Sequence, residues 1–232
     1  MKKILICGAS RNLGKYFFEN LKKKHQVFLF SRKKINYKNS IKTDISDHKQ
    51  ANNSFKSLKN QISKIDTIIF CIGNSKKNYS KYAKTSDFEN SFKNNFYPFV
   101  NLIYSYLKHF RGKPVNIIVI SSIAGIKNIN APITYSIAKN ALNFYSSIMS
   151  KELAKNKIYI NIISPGNILL KGNNWDKKIK KNKKKVTNYI NNNVPNKKFC
   201  NPAHLLDMCK LLIEKNNSFV GSNIVIDGGQ IL

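Results

Sequence analysis

The sequence predicts an α/β protein: one doubly wound parallel sheet with helices on both faces, built by a single domain over residues 1–232. Two observations carry that expectation. Short apolar, β-branched runs alternate with amphipathic helical patterns along the chain, and such alternation builds a parallel sheet covered on both sides and wound right-handedly. The first run also passes directly into a glycine-bounded turn that opens a helix. A length of 232 residues suits one domain with a proper core.

KKILICGAS (2–10) is a strand running into a turn, and GASRNLG (8–14) opens the helix LGKYFFENLKKK. Gly8 permits a tight turn there, and backbone amides at the helix start favour a pyrophosphate. The loop Gly8, Ser10, Arg11, Asn12, Leu13, Gly14 has Asn12 where common dinucleotide loops carry a middle glycine. Asn tolerates left-handed backbone better than most residues. QVFLF (26–30) is the second strand, followed by Ser31-Arg32-Lys33. In a doubly wound sheet the end of this strand faces the adenosine ribose; an acid there would bind the 2′-hydroxyl of NAD(H), whereas Arg32 suits the 2′-phosphate of NADP(H), with Arg11 as a second contact. Arginine is scarce, three of 41 basic residues, which gives its position weight.

IKTDIS (41–46) follows, in which Asp44, with Ile45 beside it, either contacts adenine or starts the next helix (47–60). The strand DTIIFCIG (66–73) ends at Gly73, where the chain can pass close to a ligand. Residues 74–85 read as a polar loop. A single helix is expected over 86–110, with Phe88, Phe92, Phe96, Phe99, Leu102, Ile103, Tyr106 and Phe110 near helical spacing as core or dimer interface. Asn95 within it is solvated unless the helix bends to aim it at a site.

VNIIVI (115–120) is a buried strand closed by Ser121-Ser122, and a helix from Thr134 to about Lys155 carries Tyr135 and Lys139. Residues i and i+4 share a helix face. A hydroxyl at a strand end, a phenol, and a cation that lowers the phenol's pKa are parts for moving a proton to or from a carbonyl oxygen. Tyr-x-x-x-Lys should occur by accident roughly twice in so lysine-rich a chain. It does occur twice, and the second copy, Tyr104/Lys108, even has Ser91 thirteen residues upstream, as Ser122 stands to Tyr135. Context separates the two: Ser91 lies inside a helical pattern, whereas Ser122 closes a strand.

KIYINIISPG (157–166) is a further strand ending at Pro165-Gly166. From Asn167 to Lys198 the composition changes, with ten lysines, one acid (Asp176) and Trp175 and Tyr189 as aromatic anchors. So little regular pattern over this length predicts a mobile, basic substrate lid at about 167–198 rather than packed core, with a merely solvated charge run as the alternative. A helix over 203–215, opened by Pro202, and a final strand in NIVIDGGQ (223–230) complete the chain.

The formal net charge of +30 favours anionic ligands, most strongly at low salt. Lysine is nonetheless spread along the whole chain beside abundant Asn and Ile, and no nucleic-acid motif accompanies it, which argues against nucleic acid as the partner. No apolar run approaches the ~18 residues of a membrane span, and the amino-terminal apolar stretch is too short for a signal peptide. A cytoplasmic location and no membrane partner are expected. The four cysteines and four histidines show no metal-ligand spacing, so no metal is expected.

With these residues placed, the chain resembles the short-chain dehydrogenase/reductase family, in its short, single-domain branch, over nearly its whole length. GASRNLG is similar to that family's TGxxxGxG cofactor loop, with Cys7 for Thr and Asn12 for Gly. Asp44 falls where the family has an adenine-contacting Asp, and Cys71-Ile72-Gly73 stands in place of Asn-Ala-Gly. Asn95, Ser122, Tyr135 and Lys139 match the catalytic tetrad. Pro165-Gly166 matches the Pro-Gly before the substrate loop. After it the family often has a Thr that touches the nicotinamide amide, where this chain has Asn167-Ile168-Leu169-Leu170, with Ile168 the implied cofactor contact. VIDGGQ resembles the C-terminal strand and turn. The resemblance implies a Rossmann fold and an NADP(H)-dependent oxidoreductase, like a carbonyl or 3-oxoacyl-carrier-protein reductase, interconverting a ketone and a secondary alcohol. Tyr135 would be general acid and base, Lys139 would lower its pKa and hold the nicotinamide ribose, Ser122 would bind the substrate oxygen, and Asn95 would steady a relay water. The substrate would be an anionic small molecule, carrier-linked 3-oxoacyl or sugar-type, and the assembly a homotetramer, or a dimer built on the two long helices. The alternative is a non-catalytic NADP-binding sensor or a basic nucleic-acid-associated protein on the same fold; the intact tetrad argues against it.

Overall fold

The computed structural model describes residues 1–75, 82–214 and 218–232. In chain order these form β1 (Lys3–Cys7), α1 (Asn12–Leu21), β2 (Gln26–Ser31), β3 (Ser40–Lys42), α2 (His48–Gln61), β4 (Thr67–Phe70), α3 (Thr85–Asn95), α4 (Tyr97–His109), β5 (Val115–Ile120), α5 (Ile133–Ala154), β6 (Ile158–Pro165), α6 (Asn174–Lys181), α7 (Lys183–Asn193), α8 (Pro202–Glu214) and β7 (Asn223–Ile226). The last residue of the helix expected over 203–215, and much of the loop expected over 74–85, lie outside the described residues.

The strands form a seven-stranded sheet in the order β3-β2-β1-β4-β5-β6-β7, and each neighbouring pair is parallel. Consecutive residues of β1, β4 and β5 are buried without alternation, as a sheet covered on both faces requires. Leu5, Phe28, Phe70 and Ile117 face one way, into a layer with Phe55 of α2 and Phe99 and Tyr106 of α4. Ile4, Ile6, Leu29 and Ile118 face the other, against Phe17 of α1 and Leu205 and Leu212 of α8. The chain winds outward from β1 to β3, then returns to place β4 on the other side of β1. The carboxyl ends of β1 and β4 therefore bound a crevice, where ligands of such sheets bind.

Two expectations are corrected. The helix expected over 86–110 is two helices, broken at Phe96 (φ −118°, ψ −58°) with Pro98 in the first turn of α4. Proline has no N–H to continue the ladder and disfavours helical backbone just before it. The segment 167–198 is not structureless: α6 and α7 form a hairpin whose Asn173 and Asn182 side chains accept from Asp176 N (3.0 Å) and Lys185 N (2.9 Å) as N-caps. Val186, Ile190 and Val194, at i, i+4 and i+8, are all buried, and the Trp175 ring lies 5.3 Å from Tyr189 and 5.5 Å from Phe199. Val186 and Ile190 on one face of α7, Val194 just past its end and the aromatic cluster give this lysine-rich stretch a small core of its own. β4 (Thr67–Phe70) and β7 (Asn223–Ile226) are shorter than the runs 66–73 and 223–230 expected for them, while β5 covers 115–120 as expected.

Candidate active site

The crevice is shaped first by missing side chains. Gly8 follows β1 with φ +93°, and a Cβ there would stand 3.1 Å from the Cys71 backbone. A Cβ on Gly14 would fall 2.3 Å from the Gly8 carbonyl oxygen, so the start of α1 is seated directly on the turn. Asn12 takes the left-handed conformation, φ +48°, which answers how an Asn replaces glycine in this loop. The N-cap Arg11 makes no side-chain cap, and α1 has no acid in its first turn. The loop thus presents helix-end amides without a protein carboxylate over them, a cradle that fits a pyrophosphate. Ser10 lies half-buried on it and Leu13 packs inward at 8% exposure.

Arg32, exposed just beyond β2, donates from Nη1 to Asn94 Oδ1 at 3.4 Å. Asp44 does not cap α2; Asp47 does, accepting from Gln50 N at 2.8 Å. Asp44 Oδ1 instead accepts from Ser46 N and Oγ, at 3.0 and 2.8 Å. Ile45 is buried in the core, and its carbonyl accepts from Asn101 Nδ2 at 3.0 Å.

The proton-handling groups lie along the carboxyl edge of β4 and β5. Ser122 follows β5, and its Oγ accepts from Ala124 N at 3.2 Å, capping a short 3-10 turn, Ile123–Gly125. A Cβ on Gly125 would lie 2.7 Å from the Lys139 backbone, and Asn140 and Asn143 Nδ2 both donate to the Gly125 carbonyl, at 3.1 and 3.3 Å. This turn is clamped onto α5, and the clamp brings Ser122 beside Tyr135, whose pKa its hydroxyl draws down. Gly125 was absent from the sequence reading, although a glycine three residues after the strand-end serine was its visible signal.

One helical turn past Tyr135, Lys139 is 2% exposed. Its Nζ donates to Ile120 O (3.3 Å) and Ile72 O (3.5 Å). Burial lowers its pKa from 10.5 to about 8, opposed by the neighbouring Cys71 thiol. Burial raises that of Tyr135, offset in part by Ser122. In the protein alone desolvation thus sets the direction of the Tyr135 shift, and Lys139 Nζ is held by main-chain carbonyls. Burial likewise pushes the Cys7, Cys71 and Cys209 thiols up, so none is an activated nucleophile.

Gly73 adjoins both remaining members of the tetrad. A Cβ there would lie 3.1 Å from Lys139 Nζ and 3.4 Å from Asn95 Oδ1. Asn95 is fully buried, not solvated; it accepts from Asn74 N (2.8 Å) and donates to Asn74 O (3.2 Å) and Ser91 O (2.9 Å). Because α3 ends at this residue, the helix break aims it into the site. Gly166, after Pro165, allows Asp227 to approach to 2.9 Å of where its Cβ would be. Ile168 pairs with Cys200 at the base of the α6–α7 hairpin. Asn174 at the start of α6 donates to Ser75 Oγ at 3.3 Å, so the hairpin reaches from β6 to the loop after β4, across the end of β5.

The family model described as Enoyl-(Acyl carrier protein) reductase matches residues 19–230. The chain belongs to the short-chain dehydrogenase/reductase family. Carbonyl reductase family member 4 of Xenopus laevis is 24% identical over 235 residues, covering 97% of this chain and 95% of that one. The 3-oxoacyl-[acyl-carrier-protein] reductase of Bos taurus is 23% identical over 131 residues, covering 55% of this chain and only 54% of the bovine protein. Among solved structures, "ElxO with NADP Bound" superposes with a TM-score of 0.87 at 24% identity over 100% of this chain and 99% of that one. The 4-hydroxyisoleucine dehydrogenase complexed with NADH gives 0.86 at 22% identity over 100% and 99%. These superpositions bear out the wound parallel sheet. No helix among the described residues is long and apolar enough to cross a membrane.

Proposed function

We propose that this short-chain dehydrogenase/reductase is an NADP(H)-dependent oxidoreductase interconverting a ketone and a secondary alcohol. The observation that carries the reading is the placement of Ser122 beside Tyr135, with Lys139 buried one turn further along α5 and held by the Ile120 and Ile72 carbonyls at the carboxyl ends of β5 and β4. The loop Gly8–Gly14, Arg32, Asp44, Cys71-Ile72-Gly73 and Pro165-Gly166 would hold the dinucleotide, with Arg32 and Arg11 directed to a 2′-phosphate. When bound, the nicotinamide supplies or accepts the hydride.

The chain's own residues handle the proton. Ser122 Oγ hydrogen-bonds the substrate oxygen as charge develops on it. Tyr135 gives that oxygen its proton in reduction and takes it in oxidation. Burial favours the neutral phenol, the form needed to protonate an alkoxide. Lys139 is set near neutrality between charged and neutral forms, so it can return a proton toward Tyr135. Asn95 Oδ1, across Gly73 from Lys139 Nζ, steadies the water that carries it.

The hairpin supports an anionic substrate, either a 3-oxoacyl group on an acidic carrier or a sugar-type anion. Its single acid, Asp176, is occupied internally: it accepts from Gly172 N at 2.8 Å and pairs with Lys180 at 3.0 Å. With ten lysines against that one acid over 167–198, the segment carries a net positive charge toward an anionic substrate. The unpaired state of all four thiols suits a reducing compartment such as the cytoplasm.

The test is NADPH oxidation against a panel of ketones and oxidised sugars, with Tyr135→Phe as the control. Tyr135→Phe should cut turnover by about 10²-fold or more and leave NADPH binding intact. Equal turnover in the two proteins overturns the mechanism.

A further inference from the structure

The second serine at the same spacing from a Tyr-x-x-x-Lys has a different place in the fold from the one its spacing suggests. Ser91 has no role toward Tyr104, which lies exposed on the outer face of α4. Its hydroxyl instead points at the start of α5, donating to the Thr134 carbonyl at 2.9 Å. The same oxygen stands 3.4 Å from Asn95 Nδ2 as acceptor, while Ser91's carbonyl accepts from Asn95 Nδ2 at 2.9 Å. Ser91 is thus bonded on one side to the buried Asn95 and on the other to the peptide that joins Thr134 to Tyr135.

We propose that Ser91 is a positioning residue that couples Asn95 on α3 to the first turn of α5, fixing Tyr135 relative to the Asn95–Lys139 side of the crevice. The argument rests on bonding capacity. An Asn side chain has one acceptor and one donor end, and which end faces where is set by its partners. Asn74 N demands the acceptor end, and Ser91, through its carbonyl and hydroxyl oxygens, demands the donor end. Asn95 Oδ1 is thereby held toward Gly73, where Lys139 Nζ also lies. The hydroxyl's proton is committed to Thr134 O, so a change in Asn95 or in the first turn of α5 is felt by the other. An angstrom of drift between a proton donor and the group that resupplies it is costly in rate, whereas substrate and dinucleotide contacts on other elements are untouched.

The inference rests on the oxidoreductase reading above. Its test is steady-state kinetics of the full-length protein carrying Ser91→Ala, Ser91→Thr and Ser150→Ala, with circular dichroism and thermal melting of each. Ser150 donates a comparable buried bond, to Ile160 O at 3.2 Å, from the far end of α5, and so reports the cost of losing any such bond. Ser91→Ala should lower kcat about fivefold to tenfold, the scale of one hydrogen bond, with KM for NADPH unchanged. Ser91→Thr, which keeps the hydroxyl, should restore most of kcat. Ser150→Ala should melt lower to a similar degree with kcat unchanged. Unchanged kcat in Ser91→Ala, or equal kcat losses in Ser91→Ala and Ser150→Ala, overturns the proposal while leaving the oxidoreductase reading intact. An unmutated protein that oxidises NADPH with no ketone of the panel overturns that reading, and the proposal with it.

Discussion

Lys139 makes the electrostatics of the site measurable without any substrate. Its folded-state pKa of about 8, against 10.5, means that the unfolded chain binds its proton more tightly. Between roughly pH 8 and 10.5 the unfolded state keeps a proton that the folded state has released, and stability rises with pH. The buried ammonium costs about 3 kcal/mol at neutral pH, at roughly 1.4 kcal/mol for each pH unit separating the two pKa values. Lys139→Met removes that cost at similar volume. Urea unfolding of both proteins from pH 7 to pH 10 should show the variant more stable at pH 7, with the gap closing by about 2–3 kcal/mol at pH 10, or about 5–10 °C in melting temperature for a chain of this size. Tyr135, Cys7, Cys71 and Cys209 have raised pKa values and lose stability as pH climbs past the ordinary range of phenols and thiols. They are common to both proteins and largely cancel in the difference. A difference that stays flat from pH 7 to 10 refutes the desolvated lysine.

Arg32→Ala should weaken NADPH binding by about 10- to 100-fold, the scale of a charge-assisted bond, and leave NADH unchanged, as followed by cofactor fluorescence; equal losses for both remove Arg32 from the 2′-phosphate. Changing the lysines between 177 and 185 to glutamine should raise KM for an anionic substrate by about tenfold at low salt without altering KM for NADPH; no change makes the hairpin an ordinary solvated surface. Ile133, Ile137, Phe144 and Ile148 recur along the outer side of α5, each more than 40% exposed, and this stripe supports an interface between copies. Light scattering should give a mass above one chain, and Ile137→Asp with Phe144→Asp should reduce it to a monomer; a monomeric unmutated protein rejects the interface.

Most of the sheet was legible because parallel strands, buried on both faces, leave continuous apolar runs such as VNIIVI and TIIF. The grouping of Ser122, Tyr135 and Lys139 was legible for a related reason: Ser122 ends a strand and Tyr135 and Lys139 share a helical face, so local periodicity already places these three. What could not be read lies in through-space contacts. Asn95 looks like a solvated helix residue until Pro98 is given its full weight as a helix breaker one turn later. The α6–α7 hairpin hides its small core, since Val186, Ile190 and Val194 are diluted among lysines and asparagines. The desolvation that raises the Tyr135 pKa is equally hidden, because charge spacing is visible in a sequence and burial is not.

The pairing of Ile168 with Cys200 has a practical corollary. The α6–α7 excursion departs from the body and returns to it at one spot, like a handle with both ends on a single bracket. Shortening or recharging it would leave the strand ladder beneath unbroken, provided the braces at Asn174–Ser75 and Asn196–Gly228 are kept.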